Sequence, residues 1–127
     1  METIYSYSRA QALDDAVLVD VTNDATEAGF RIPVALTAAA WVDCVKWTTE
    51  DNRRQTVQDQ QGRLWDVLWM AHLAARAARG SSETLFSLYR VPRGGCGIKP
   101  RLVTLKLTIG PGDAGEPVAT IMLPTED

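Results

Sequence analysis

The chain has 127 residues, 46% apolar, 23% charged and 7% aromatic, enough to bury a core and too few for two ordinary domains. No uninterrupted run of about 18 apolar residues offers a membrane span, and the start METIYSYSRAQALDD lacks a basic segment followed by an apolar run. One cytoplasmic domain over residues 1–127, without membrane association, is expected.

Formal charge is −3, which gives no global attraction to polyanions. The distribution is uneven: three basic and nine acidic side chains in residues 1–52, ten and three in 53–106, none and four in 107–127. Either these blocks neutralise one another in the fold, or they make a bipolar surface that steers a charged partner. Cys44 and Cys96 are too few for a disulfide framework and are expected as thiols.

In chain order, Ser8 is a cap for a short helix through Ala16, and VLVDV at 17–21 reads as a strand. Asp24 to Ala28 reads as a helical turn stopped by Gly29. Pro33 interrupts, VAL at 34–36 is a brief strand or packed connector, and Thr37 caps a helix from Ala38 to Trp47. In that helix Trp41, Cys44, Val45 and Thr48 fall on one side, as core packing requires. The polar run from Thr48 to Gly62 reads as a loop, long enough to be a binding loop or flap, with 55–61 able to pair as an edge strand.

Arg63 to Arg79 is the clearest helix, stopped by Gly80. Leu64, Val67, Leu68, Ala71, Ala74, Ala75 and Ala78 make one broad apolar face. LFSLYRV at 85–91 has strand composition, and RLVTLKLTI at 101–109 alternates as a strand with one buried face. GPGDAGEP turns the chain into a last strand at 118–122. The expected architecture is α+β, a long central helix packed against a small, mainly antiparallel sheet.

Beside the apolar face of the long helix, Trp65, Trp69, His72, Arg76 and Arg79 form a second stripe. Aromatic planes interleaved with guanidinium groups stack on bases or anchor a protein interface, and they also complete a core whose rim is basic. Arg53, Arg54 and Arg63 flank the Gln-rich run, while Arg90, Arg93, Lys99 and Arg101 flank a Gly-rich one, a set able to reach phosphates without a recognised nucleic-acid motif.

In VPRGGCGIKP, Cys96 lies among glycines whose N–H groups suit an oxyanion, with His72 as base only if the fold brings it near. The same glycines fit no phosphate-loop or dinucleotide pattern and also suit a plain turn. Cys44, His72 and Cys96 would make a zinc site only through long-range convergence, so no metal and no cofactor is expected. Asp14, Asp15, Asp20, Asp24 and Glu27 form an acidic group that is a hydrated surface, a Mg²⁺ chelator, or a contact for a basic partner.

IYSYSRAQALDDAVLVDVT, AGFRIPVALT, QDQQGRLWDVLWMA and GPGDAGEPVATIMLPTED together resemble a small bacterial family of uncharacterised proteins found mainly on plasmids and other mobile elements. The likeness spans nearly the whole chain, with GRLWDVLWMA and GPGDAGEP the most distinctive segments. It implies an accessory factor for transfer, maintenance or evasion of host defence, and it carries no catalytic residues onto this sequence.

The expectation is a non-enzymatic protein that binds a host or mobile-element protein, with inhibition of a DNA-targeting defence complex as one such task. Trp65, Trp69, His72, Arg76, Arg79, Asp14, Asp15 and Asp20 are its candidate contacts. Two alternatives stand beside it: nucleic-acid binding through Arg53, Arg54, Arg90 and Arg93, joined by Arg76 and Arg79, and a Cys96-dependent enzyme.

Overall fold

The computed structural model describes residues 7–127; residues 1–6, which open the stretch read for a secretory leader, lie outside the described residues. Helix α1 (Arg9–Asp14) starts where Ser8 accepts from the Gln11 backbone N–H while the Gln11 side chain accepts from the Ser8 N–H. After β1 (Leu18–Asp20), α2 (Thr22–Ala28) ends at Gly29 in the left-handed region, φ +117°. A Cβ at Gly29 would also lie 2.6 Å from the His72 ring, so the position admits no side chain.

Strand β2 (Val34–Thr37) passes directly into α3 (Ala38–Cys44), capped by the Thr37 hydroxyl, which accepts from the Ala40 N–H. This helix stops short of the expected Trp47. The N–H groups of Val45 and Lys46 both donate to the Trp41 carbonyl, closing the turn, and Trp47 swings under the Arg63 guanidinium.

The 48–62 run, expected as a loop, contains α4 (Thr49–Arg54) instead. Thr48 and Asp51 satisfy each other's backbone N–H in a capping box, and acids in the first turn with arginines in the last complement the helix dipole. No strand forms at 55–61. Asp59 accepts from the Gln61 N–H and starts α5 (Gln60–Ala77) three residues earlier than expected.

Then come β3 (Glu83–Arg90), β4 (Arg101–Pro111) and β5 (Pro117–Met122), the last two joined by the expected turn, in which the Gly112 N–H donates to the Glu116 carbonyl.

The five strands make one sheet in the order β1-β2-β5-β4-β3. Its pairings are antiparallel except β2 with β5, where Val34 faces Ala119 and Leu36 faces Ile121 in parallel register. The architecture is mixed α/β, with a five-stranded sheet and five helices among the described residues. Helix α5 has 18 residues, and α2 and α3 share its side of the sheet through Ala25, Ala28, Ala40 and Cys44, small enough for close approach.

One face of the sheet makes the core. Val34, Leu36, Phe86, Leu88, Leu105, Leu107, Ala119 and Ile121 meet Leu64, Val67, Leu68 and Ala71 of α5, the four leading residues of its expected apolar face. Each large side chain buried there contributes roughly 1.5–3 kcal/mol.

The opposite face is covered over only part of its width. Arg9 of α1 donates to the Thr120 hydroxyl and the Ala119 carbonyl, and Asp113 accepts from the backbone N–H groups of Arg9 and Ala10. Glu126 accepts from the Thr37 hydroxyl while Lys106 donates to the Glu126 carbonyl. Over β3 and β4 that face stays open, with Leu85, Tyr89 and Leu102 exposed. No helix among the described residues is long and apolar enough to cross a membrane.

Candidate functional site

Arg63 sits one turn into α5 on its inward side, 6% exposed, and gathers three segments. Its Nε donates to the Val45 carbonyl at 3.1 Å, and its Nη1 donates to Gln58 Oε1 at 2.8 Å and to the Val91 carbonyl at 3.0 Å. The guanidinium carbon lies 4.6 Å from the centre of the Trp47 ring, a cation–π contact in a dry setting. Burial lowers its pKa, yet guanidinium remains charged at any physiological pH. One nitrogen, Nη2, is buried with no partner.

Arg90 ends β3 nearby. Its Nη2 donates to Asp43 Oδ1 at 3.0 Å, and its Nε is likewise buried without a partner. Two stranded donors on neighbouring cations are costly, since each buried unpaired group forfeits about 1–3 kcal/mol. Cys44 does not supply the missing acceptor as a thiolate. Burial pushes its thiol up to about 11, with Asp43 adding to the rise and Arg90 and Arg63 opposing it, so the sulfur stays protonated and unreactive.

These donors belong to a cavity of about 200 Å³ lined by Cys44, Gln58, Arg63, Arg90 and Pro100, together with Asp66, Leu88 and Tyr89. The same Asp66, Leu88 and Tyr89 line a second cavity of about 320 Å³, whose other walls are Trp69, Met70, Ser87 and Leu102. The two compartments run side by side along β3, the end strand of the sheet. One is cationic and the other apolar. Asp66 stands at their shared wall, and burial raises its carboxyl pKa against the lowering effect of Arg63. Trp69 is 42% exposed and stacks on Trp65, 41% exposed, at 5.9 Å between centroids and 14° between planes.

A wider cavity of about 540 Å³ lies between α3, α4 and the 91–100 loop. Its charges are already engaged: Asp51 with Arg93 at 2.7 Å, Arg54 with Glu50 at 3.1 Å, and Asp43 with Arg90. The loop is further stapled by Gln55, whose amide donates to the carbonyls of Pro92 and Gly97 and accepts from the Gly94 N–H.

The residues singled out from sequence fall into separate places. Trp65, Trp69 and His72 lie together on α5, with His72 half-buried 5.8 Å from Trp69 and edge-on to Phe30, and Arg76 and Arg79 exposed further along. Asp14, Asp15 and Asp20 are exposed by α1 and β1, at the opposite edge of the sheet, where Asp20 accepts from the Thr22 N–H and hydroxyl. Arg53 and Arg54 pair with Glu50, Arg90 with Asp43, and Arg93 with Asp51.

Cys96 is exposed, and the Gly94 N–H near it is spent on Gln55. No group of three or more His, Cys, Asp and Glu side chains converges as a metal site among the described residues, so Cys44, His72 and Cys96 do not assemble. The residues that sequence reasoning left out of the site are Met70, Tyr89 and Leu102, apolar positions on an ordinary strand and helix. Only the knowledge that β3 is an edge marks them.

No curated protein and no solved structure gives a significant match to this sequence. A family model matches residues 1–127, and the chain therefore belongs to DUF6573, a family of unknown function.

Proposed function

We propose that this chain is a non-enzymatic protein-binding factor that holds an extended segment of a partner protein against the open edge of β3. One observation carries the reading: an eight-residue edge strand is bordered by Trp69 and Met70 on one side and by Tyr89 and Leu102 on the other, with Tyr89 68% and Leu102 59% exposed. An unpaired edge offers backbone donors and acceptors, and aromatic walls offer the anchors at which interface energy concentrates. The exposed basic side chains of residues 53–106 outside the ion pairs, Arg76, Arg79, Lys99 and Arg101, favour a partner segment that carries acid groups.

In this reading the factor is an accessory protein of a mobile element, as the sequence resemblance implies, with a host defence complex as one partner to seek. The ion pairs of Arg53, Arg54, Arg90 and Arg93 weaken the nucleic-acid reading, because a paired guanidinium must give up its carboxylate before it can hold a phosphate.

A pull-down from a native bacterial host, run with and without nuclease, tests the reading when the bait is compared with a Trp69→Ala/Tyr89→Lys double variant. A nuclease-resistant partner that the wild type retains and the folded variant loses is expected. Equal retention by both baits rejects the groove, and capture that vanishes with nuclease transfers the function to nucleic acid.

A further inference from the structure

The groove along β3 carries more information than an apolar edge alone, because its two compartments differ in chemistry and meet at the strand's end. We infer that the cationic compartment is a carboxylate site, and that the segment held along β3 is the C-terminus of a protein chain; this rests on the protein-binding reading above.

Three observations converge on it. The Arg63 Nη2 and Arg90 Nε donors are buried and unpartnered, and Arg63 itself is more than nine-tenths buried, held in place by bonds to two backbone carbonyls and Gln58. The site is therefore preformed and lacks only an acceptor. Next, Asp43 already occupies a different nitrogen of Arg90, and the neighbouring Cys44, kept protonated by burial, offers Arg90 only a weak sulfur acceptor. Finally, one carboxylate, Asp66, lines the compartment beside its two guanidinium groups, and a second, Asp43, sits outside the lining on Arg90 Nη2. A single added negative charge matches two free N–H donors, whereas a phosphate dianion meets two like charges at close range.

Position then selects among carboxylates. Arg90 is the last residue of β3, and the apolar compartment lies just before it, around Ser87, Leu88 and Tyr89. A strand added parallel to β3 would bring its final side chain to Trp69 and Met70 and its terminal carboxylate to Arg63 and Arg90. An antiparallel strand would bring an N-terminal ammonium to the same guanidinium groups, where it is repelled. An internal Asp or Glu could offer the same carboxylate chemistry, and only the terminal group pairs it with an apolar side chain at that spacing.

Side-chain NMR of the full chain tests this with small probes and no partner protein. N-acetyl-leucine is expected to shift the Arg90 Nε–H and Trp69 indole N–H signals together, with one dissociation constant at least about tenfold below that of N-acetyl-leucinamide, the discrimination one charge-assisted contact provides. Arg90→Gln should bring the two probes to within about twofold of each other, while Trp69→Ala weakens both and keeps their ratio.

Equal binding of the acid and the amide overturns the carboxylate assignment. So does a response to inorganic phosphate alone. N-acetyl-aspartic acid α-methylamide binding as tightly as N-acetyl-leucine overturns the chain terminus in favour of an acidic side chain. The wild-type titration decides the matter even if Arg90→Gln fails to fold. Because no partner is present, a negative titration leaves the pull-down result standing, and a failed pull-down leaves the carboxylate site standing.

Discussion

The two edges of the sheet are built differently. Strand β1 is three residues long, tipped by Asp20 and flanked by α1, while β3 is eight residues long and ends in an arginine. A short, acid-tipped strand with a helix against it is a common way to keep a sheet from pairing with strangers. Strand β3 begins at Glu83 and packs against α5, yet Leu85, Tyr89, Leu102 and Trp69 all stand exposed around it. A small protein that guards one edge and leaves the other bare spends solubility on the bare one, which makes β3 the place to look for a partner.

Both edges hang from one core, so the largest effect should strike them together. Leu68→Ala removes a fully buried side chain between α5 and the sheet and should cost about 2–5 kcal/mol. Urea denaturation followed by tryptophan fluorescence and by far-UV circular dichroism should give coincident transitions at the lower midpoint. Separate transitions would show that the edges are independent units and would break the comparison.

A substitution confined to the β3 end should separate them. Arg63→Met keeps some of the stem's packing but strands the carbonyls of Val45 and Val91, for a loss of roughly 1–3 kcal/mol. Amide hydrogen exchange should rise most in β3 and α4 and least in β1. Uniform loss of protection would place Arg63 in the common core rather than at the groove.

The pH dependence sharpens the same contrast. Arg93 above all, helped by the Thr48 backbone N–H and hydroxyl and opposed by burial, holds the Asp51 carboxyl down at about 2 against an ordinary 3.8. A carboxyl depressed in the folded state favours folding while it is ionised. Its contribution is complete above about pH 4 and disappears as pH falls toward 2 and below. Arg93→Gln should return the Asp51 titration toward the ordinary value, read from its side-chain carbon shift. An unmoved titration would mean that the α4 cap alone sets it.

Much of the fold was legible where periodicity is strong. RLVTLKLTI alternates because only one face of β4 meets the core, and the Leu64–Val67–Leu68–Ala71 stripe of α5 lies where helical spacing puts it. The 48–62 run misled because its polarity looks like a loop. The Thr48–Asp51 capping box was nonetheless present in the sequence as a signal for a six-residue helix.

The site was half legible. Trp65 and Trp69 stood out by type and spacing, but Tyr89 and Leu102 gain meaning only because they pair across β3 and β4 at the end of the sheet. Strand order is a long-range property that no local pattern encodes. The sequence leaves open whether the charge blocks neutralise one another; the fold commits four arginines to nearby carboxylates and buries a fifth, Arg63.

The smallest effect on stability should be the most telling about the edge. Tyr89→Lys places a charge at an exposed position of β3, where a surface change stays within about 0.5 kcal/mol. A lysine on an edge is also a standard obstacle to strand addition, since pairing would draw the ammonium toward an apolar wall. The variant should match the wild type in denaturation midpoint and lose the partner in the pull-down. If it instead keeps the partner while Trp69→Ala loses it, the contact is made by the face of α5 and not by the strand. The two edges would then differ in exposure only, and the bare one would serve no pairing role.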